Sequence, residues 1–264
     1  MWNPYQQLSG TQRRLLGFGS LGVVLLAWGL LTGLGVVRPA RLPAPWAVGS
    51  AFLRLAWDPE KGESPLLDHT LMSLTRIVVA GVLVVVIGLP IGILMGASPR
   101  INAVLSPLVD PFRSAPVVSL LPILVIWLGI GETMKVAFLF LGAVVFLIPM
   151  VRDAIVSVPE AHWISARDLG ATPWETIWHA VVPIAKPRIA DAITVSVSIM
   201  WTYITVAEYV NAQVGLGALI QNARRFSAMD QVLVGIAVII ALALVTHAAM
   251  RALKKRLYPW EVEV

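Results

Sequence analysis

Few side chains in these 264 residues can do chemistry, and the best grouped of them lie late in the chain, where Trp201, Thr202, Tyr203 and Thr205 lead to Glu208 and Asn211. They end an apolar run, so indole, hydroxyl, carboxylate and amide groups gather near a membrane surface. An ionisable residue at such depth is expensive and is a functional candidate by default, here as part of a solute path. Two other fates for Glu208 stay open: capping a short helix, or pairing with Arg224 or Arg225. Asp110 and Arg113, three apart, read as a local ion pair before a solute site. His69, His162, His179 and His247 share no metal-ligand spacing and read as loop or helix-end residues, so no metal is expected. No H-E-x-x-H, G-x-S-x-G or paired-carboxylate arrangement suggests hydrolysis, and no catalytic residue is expected. Cysteine is absent, which removes disulfides and thiolate chemistry.

The elements that must position these groups are membrane helices. The chain is 58% hydrophobic and 13% charged, too apolar for a soluble domain to cover itself with polar surface. The net charge of +5 comes from residues flanking apolar runs, a pattern of membrane topology that argues against nucleic acid. Charge-free runs occur at Leu15 to Val37, Ile77 to Pro99, Ser114 to Gly131, Val136 to Val151, Ala192 to Ala207 and Gln231 to Met250. A span needs about 20 residues, so the fourth and fifth runs must borrow neighbours such as Lys135, Asp191 or Glu208. The expected fold class is therefore an all-α polytopic membrane protein with about six transmembrane helices. The first run follows Arg13 and Arg14, is long for a signal peptide and lacks a clear cleavage site, and reads as a retained helix.

With a cytoplasmic N-terminus and alternating spans, the inside collects Arg13, Arg14, Arg100, Arg152, Arg167, Lys186, Arg188, Arg251, Lys254, Lys255 and Arg256. The outside keeps Arg38, Arg41, Arg54, Lys61, Arg224 and Arg225, so the positive-inside bias is moderate and places both termini in the cytoplasm. The chain divides into residues 1–68 (cytoplasmic tail, first helix, external loop), 69–252 (a five-helix core with a long cytoplasmic loop at 152–188) and 253–264 (cytoplasmic tail). Trp46, Leu53 and Trp57, with Arg54 opposite, read as an interfacial helix. Leu216, Leu219, Ile220, Ala223 and Phe226 form another apolar stripe, with Gln221, Asn222, Arg224 and Arg225 on other faces. Gly88, Gly92 and Gly96 allow close approach of another helix, and Pro116 and Pro122 interrupt the third run.

A simple helix hairpin would not need the length of the 152–188 connection, which points to a docking partner. Thr172 and Glu175 form a T-x-x-E capping box with Pro173 at the first helical position, so a helix starts there, and Pro183 is expected to end it. Trp174, Ile177, Trp178, Val181 and Val182 make an apolar stripe opposite Glu175, Thr176 and His179. Periodicity alone leaves open whether that stripe packs on the chain itself or on another protein.

Ser165, Ala166, Gly170 and the Val182 and Pro183 pair resemble the cytoplasmic "EAA" signature of ABC-importer permeases, with Ile164 at the glutamate position and Ser165 at the first alanine. Leu42 to Pro45 resembles the external "LPxP" entry, Ser73 to Arg76 "SLxR", Trp127 to Glu132 "WFGIGE" and Gly215 to Gly217 the "GLG" loop. In order and spacing the chain is similar to the nitrate, sulfonate, taurine and bicarbonate branch of type I importers, with a MetI-like transmembrane domain. The resemblance implies a permease driven by alternating access, moving a small anion across the bacterial inner membrane. It implies a homodimer or heterodimer of permeases, with a second copy of this chain the simpler of the two, two cytoplasmic ATPases that bind the ATP and magnesium, and an external substrate-binding protein. No phosphate-cradling G-x-x-x-x-G-K-[ST] loop is present, in keeping with nucleotide on another subunit. The implied ATPase-coupling residues are Ser165, Ala166, Asp168, Leu169, Gly170, Ala171, Thr172, Pro173, Trp174, Glu175, Ile177, Trp178 and Pro183. An ion-coupled secondary transporter would need mid-bilayer coupling residues and usually a repeat, and an intramembrane enzyme a catalytic constellation; neither stands out.

Overall fold

The computed structural model describes residues 9–59 and 62–261, so Lys61 and the ends of both terminal tails lie outside the described residues. Helices in chain order are α1 (Gly10–Gly33), α2 (Pro45–Ala56), α3 (Pro65–Ala97), α4 (Pro99–Ser114), α5 (Val117–Leu128), α6 (Glu132–Val156), α7 (Glu160–Asp168), α8 (Pro173–Tyr209), α9 (Leu216–Arg225) and α10 (Met229–Leu257). Five of them, α1, α3, α6, α8 and α10, are long and apolar enough to cross a membrane, and the pair α4 and α5 makes a sixth if taken as one broken span.

The helices outrun the charge-free segments because charges inside them are partnered. Lys135 donates to Glu132 at 2.8 Å and Lys254 donates to Asp191 at 2.7 Å, so α6 and α8 extend well past their apolar cores. The third run fares differently. It is a short helix whose first turn is 3-10, and it meets α4 at a bend of 100° across Ala115 and Pro116. Proline removes a donor and disfavours helix in the residue before it, so the break falls where the sequence places Pro116.

Contacts divide the chain into two units, one of residues 1–66 and 219–236 and one of 67–218 and 237–264. In the first, Ser9 and Gln12 form a capping box that starts α1, and Trp28 of α1 donates its indole N–H to the Pro43 carbonyl at 3.0 Å. The α2 face of Trp46, Leu53 and Trp57 is exposed, and Arg54 pairs with Asp230 at 3.2 Å.

The second unit is organised around α6, which packs on α3 and α8. Met134, Phe138, Leu139, Ala143, Leu147, Val151 and Ile155 of α6 are fully or nearly fully buried. The small-residue row of α3 is pressed against this helix. A Cβ at Gly92 would stand 2.7 Å from the Val151 Cβ and 2.8 Å from the Ile148 carbonyl oxygen, and one at Gly96 would stand 2.6 Å from the Ile155 Cβ. Backbone proximity of this kind is what every-fourth-residue glycine permits.

Two helices meet a proline just after a π turn and continue past it. In α3 a π turn at Val84–Gly88 precedes Pro90, and in α8 a π turn at Thr176–Val181 precedes Pro183. A proline ring clashes with the carbonyl four residues earlier, here Val86 and His179, and each of these lies inside a π turn that widens the helix. Pro183 therefore does not end the helix that begins at Pro173; that expectation is corrected to a continuous α8 through Tyr209.

Candidate functional site

The segment from α7 into α8 owes its shape to two backbone devices. At the end of α7, Gly170 N–H donates to the Arg167 carbonyl at 2.8 Å and Ala171 N–H to the Ala166 carbonyl at 3.1 Å, a Schellman closure with Gly170 at φ +84°. Only glycine adopts that conformation freely, which accounts for its placement four residues after Ala166. The chain then turns through Ala171 into the next cap. Thr172 Oγ1 accepts from Glu175 N–H at 3.3 Å, while the Glu175 carboxylate accepts from Thr172 N–H at 2.8 Å. Pro173 takes the first helical position, where no N–H is needed.

These caps hold a hydrophobic surface outward. Trp174 is 60% exposed and Trp178 37%, their rings edge to face at 5.5 Å, while Leu169 and Ile164 are also exposed. Ser165 and Asp168 are exposed as well, whereas Ile177 and Pro183 are half-buried and Val181 and Val182 are buried. The apolar stripe thus splits, its inner part anchoring α8 and its tryptophans packed on each other at the surface. Thr176, expected on the polar side, is instead buried and donates to the Thr172 carbonyl at 3.0 Å. The π turn rotates it inward.

A second constellation sits where α6 begins and α8 ends. Arg76 of α3 is buried, with Nε 2.6 Å and Nη2 2.8 Å from the two Glu132 oxygens. Its Nη1 donates to Glu208 at 2.6 Å and to the Val214 carbonyl at 2.8 Å. Glu208, only 1% exposed, also accepts from Ser73 at 2.7 Å and from Gly217 N–H at 2.7 Å. Leu216 N–H donates to Ser73 Oγ at 2.8 Å and Gly215 N–H to His69 Nδ1 at 2.9 Å, so the free N–H groups at the start of α9 find side-chain acceptors. Arg76 and Lys135 balance Glu132 and Glu208, and the buried charges are both paired and hydrogen-bonded. Gly215 has no room for a side chain, since a Cβ would lie 2.5 Å from both Arg76 Nη1 and a Glu208 oxygen.

Glu208 therefore pairs with Arg76, correcting the alternative that it pairs with Arg224 or Arg225, and its carboxylate caps α9. Asp110 likewise pairs with Arg152 at 3.2 Å in place of Arg113. The remaining residues of the proposed polar path do not converge with Glu208. Trp201 is buried and donates to Thr246 at 3.0 Å; Tyr203 packs on Phe138 with centroids 5.7 Å apart. Thr202 is exposed, Thr205 is half-buried, and Asn211 is an exposed turn residue at φ +49°, a conformation that asparagine tolerates well. On α9, Leu216, Leu219, Ile220 and Ala223 are buried as the stripe requires, but Phe226 lies past the helix end and is exposed. Sequence reasoning did not single out Arg76, Glu132 or His69 as one cluster. The available signal was the charge itself, since an arginine directly abutting the apolar run that starts at Ile77 must find a partner.

The profile of the family described as "Binding-protein-dependent transport system inner membrane component" matches residues 88–258. The chain is 35% identical over 249 residues to the taurine transport system permease protein TauC of Escherichia coli strain K12, covering 94% of this chain and 90% of that one. It is 30% identical to the putative aliphatic sulfonates transport permease protein SsuC of Bacillus subtilis strain 168, covering 90% and 84%. Among solved structures, an inward-facing MetNI methionine ABC transporter chain superposes with a TM-score of 0.61 at 23% identity, covering 70% of this chain and 92% of that one. A chain of an amino acid ABC transporter superposes at 0.62 with 19% identity, covering 71% and 92%. These two share the fold.

Proposed function

Because this chain belongs to the binding-protein-dependent transport system inner membrane component family, and is thus a permease subunit of an ABC importer, we propose that its cargo is a small sulfonate such as taurine. The observation that carries this choice is the 35% identity to a taurine permease across 94% of the chain. Energy enters through the surface formed by Trp174, Trp178, Leu169 and Ile164, which docks on a separate ATPase holding ATP and magnesium. An external binding protein delivers the solute, and a second copy of the chain completes the path. Thr202 and Thr205 border that path; Trp201, Tyr203, Glu208 and Asn211 shape the helix that carries them.

Both termini and the α7 to α8 segment face the cytoplasm, in line with the arginines and lysines of the positive-inside count. The chain has no cysteine, so Ser165→Cys gives a single label site. An impermeant maleimide reaches it in inside-out vesicles and not in intact cells; the opposite pattern overturns the orientation. For the function, proteoliposomes containing the permease, its ATPase and its binding protein accumulate labelled taurine when ATP is enclosed with the ATPase. Accumulation of nitrate or bicarbonate in preference to taurine removes the sulfonate assignment.

A further inference from the structure

A groove of three hollows that share lining residues runs along the second unit between α3, α8 and the end of α10. One hollow of about 280 Å³ is lined by Pro90, Ile93, Trp178, Lys186, Ile193 and Tyr258. A second of about 380 Å³, lined by Ile77, Gly81, Val85, Ile193, Val197 and Met250, shares Ile193 with it. A third, of about 400 Å³ and bordered by Lys254, Lys255 and Glu261, shares Tyr258 with the first. The order along the groove is therefore charged, then amphipathic, then wholly apolar. From Leu74 to Pro90 the α3 wall extends about 24 Å at 1.5 Å per residue, within a hydrocarbon core of about 30 Å.

We propose that this groove is a binding site for an anionic phospholipid, with one acyl chain along Ile193 and Val197 and the phosphate at Lys186 and Tyr258. The charge complementarity is local. Among the described residues the Lys186 ammonium and the Tyr258 hydroxyl make no hydrogen bond or ion pair with the protein, yet both border one hollow. Lys254 is already committed, at 2.7 Å to Asp191 and 3.3 Å to Glu261, so Lys186 is the cation of this groove left to meet a phosphate. Tryptophan and tyrosine favour the depth where headgroups meet acyl chains, and a basic pocket between membrane helices suits a phosphate headgroup. The groove walls lie on helices of membrane-spanning length, so lipid is the molecule that meets them. The choice of the cytoplasmic leaflet rests on the orientation proposed above; the site itself does not.

The test is native mass spectrometry of the full chain in its importer complex, taken from vesicles of equal phosphatidylglycerol and phosphatidylcholine. The wild-type complex retains phosphatidylglycerol in preference, and the preference falls as salt is raised. Lys186→Gln, at an exposed position that leaves the fold intact, lowers that preference about five-fold, the equivalent of about 1 kcal/mol for one basic residue at an anionic surface. Ala190→Trp, which fills the first hollow, removes retained lipid of both kinds. Equal retention of the two lipids by the wild type, or a preference unchanged in Lys186→Gln, overturns the site. Should Ala190→Trp release the second permease copy while lipid stays bound, the groove belongs to the subunit interface and the assignment is wrong. Taurine uptake measured on the same samples reports separately on the transport reading, because mass spectrometry in detergent depends on neither cargo nor leaflet.

Discussion

At Gly170 an added side chain would meet no atom within 4 Å, so the residue is dictated by its backbone at φ +84° and not by space. Left-handed conformation costs an ordinary residue on the order of 1 kcal/mol, and asparagine less. In the isolated permease Gly170→Ala and Gly170→Leu should therefore lower thermal stability by similar small amounts, with Gly170→Asn nearest the wild type. If the ATPase seats against this turn, the three variants diverge in the complex: Leu loses ATPase co-purification and uptake, while Asn keeps them. Equal behaviour of Leu and Asn in the complex would show that nothing docks there. Arg76 poses the opposite problem, because its surroundings are full of charge. Removing it leaves the buried Glu208 and the half-buried Glu132 without their guanidinium, a loss of about 3 to 5 kcal/mol for a broken buried pair. Glu208→Gln keeps the shape and one accepting oxygen, though its NH2 would meet a donor at either Gly217 N–H or Arg76, so it should cost less than Arg76→Met, but not nothing, when unfolding midpoints are compared in detergent.

Helices show how far hydropathy reaches as a guide. The spans and the capping box at Thr172 were legible because they depend on residue type at close spacing, and the glycine row of α3 announced a close helix contact. The length of α8 was not legible, since Pro183 is ordinarily a stop and here follows a π turn at Thr176–Val181 that widens the helix before it. The same turn moved Thr176 from the polar face to the core, a rotation that a 3.6-residue period does not contain. Long-range pairing was equally hidden: nothing local joins Arg76 to Glu132 and Glu208, or Asp110 to Arg152. The glycine row gives a graded prediction. A methyl at Gly92 strikes the Val151 Cβ and the Ile148 backbone, which cannot swing aside, whereas one at Gly88 approaches the Val144 Cγ2 at 3.0 Å, the end of a side chain. Gly92→Ala should lower the unfolding midpoint by the equivalent of about 1 to 3 kcal/mol, and Gly88→Ala by less. A larger effect at Gly88 would mean that α3 and α6 meet in a different register.

Across the whole molecule the most conspicuous unmet demand is the broken span. The bend at Ala115 and Pro116 frees backbone groups, and both residues are exposed, while Ile126 and Trp127 of α5 are more than three-quarters exposed. Irregular backbone at membrane depth persists only against protein or a water-filled path, so lipid alone does not suit this stretch. If the second permease copy proposed above supplies the missing cover, α5 of each copy lies at the seam beside the solute path. Because the natural sequence has no cysteine, Ile126→Cys is a clean probe. Oxidation of membranes carrying that variant should give a disulfide-linked dimer, and the cross-link should change in yield when the ATPase is trapped with nucleotide, since alternating access moves the seam. A dimer that stays intact by native mass spectrometry but never cross-links at position 126, at Trp127→Cys or at Ile123→Cys would place α5 away from the seam. The break would then face the path alone.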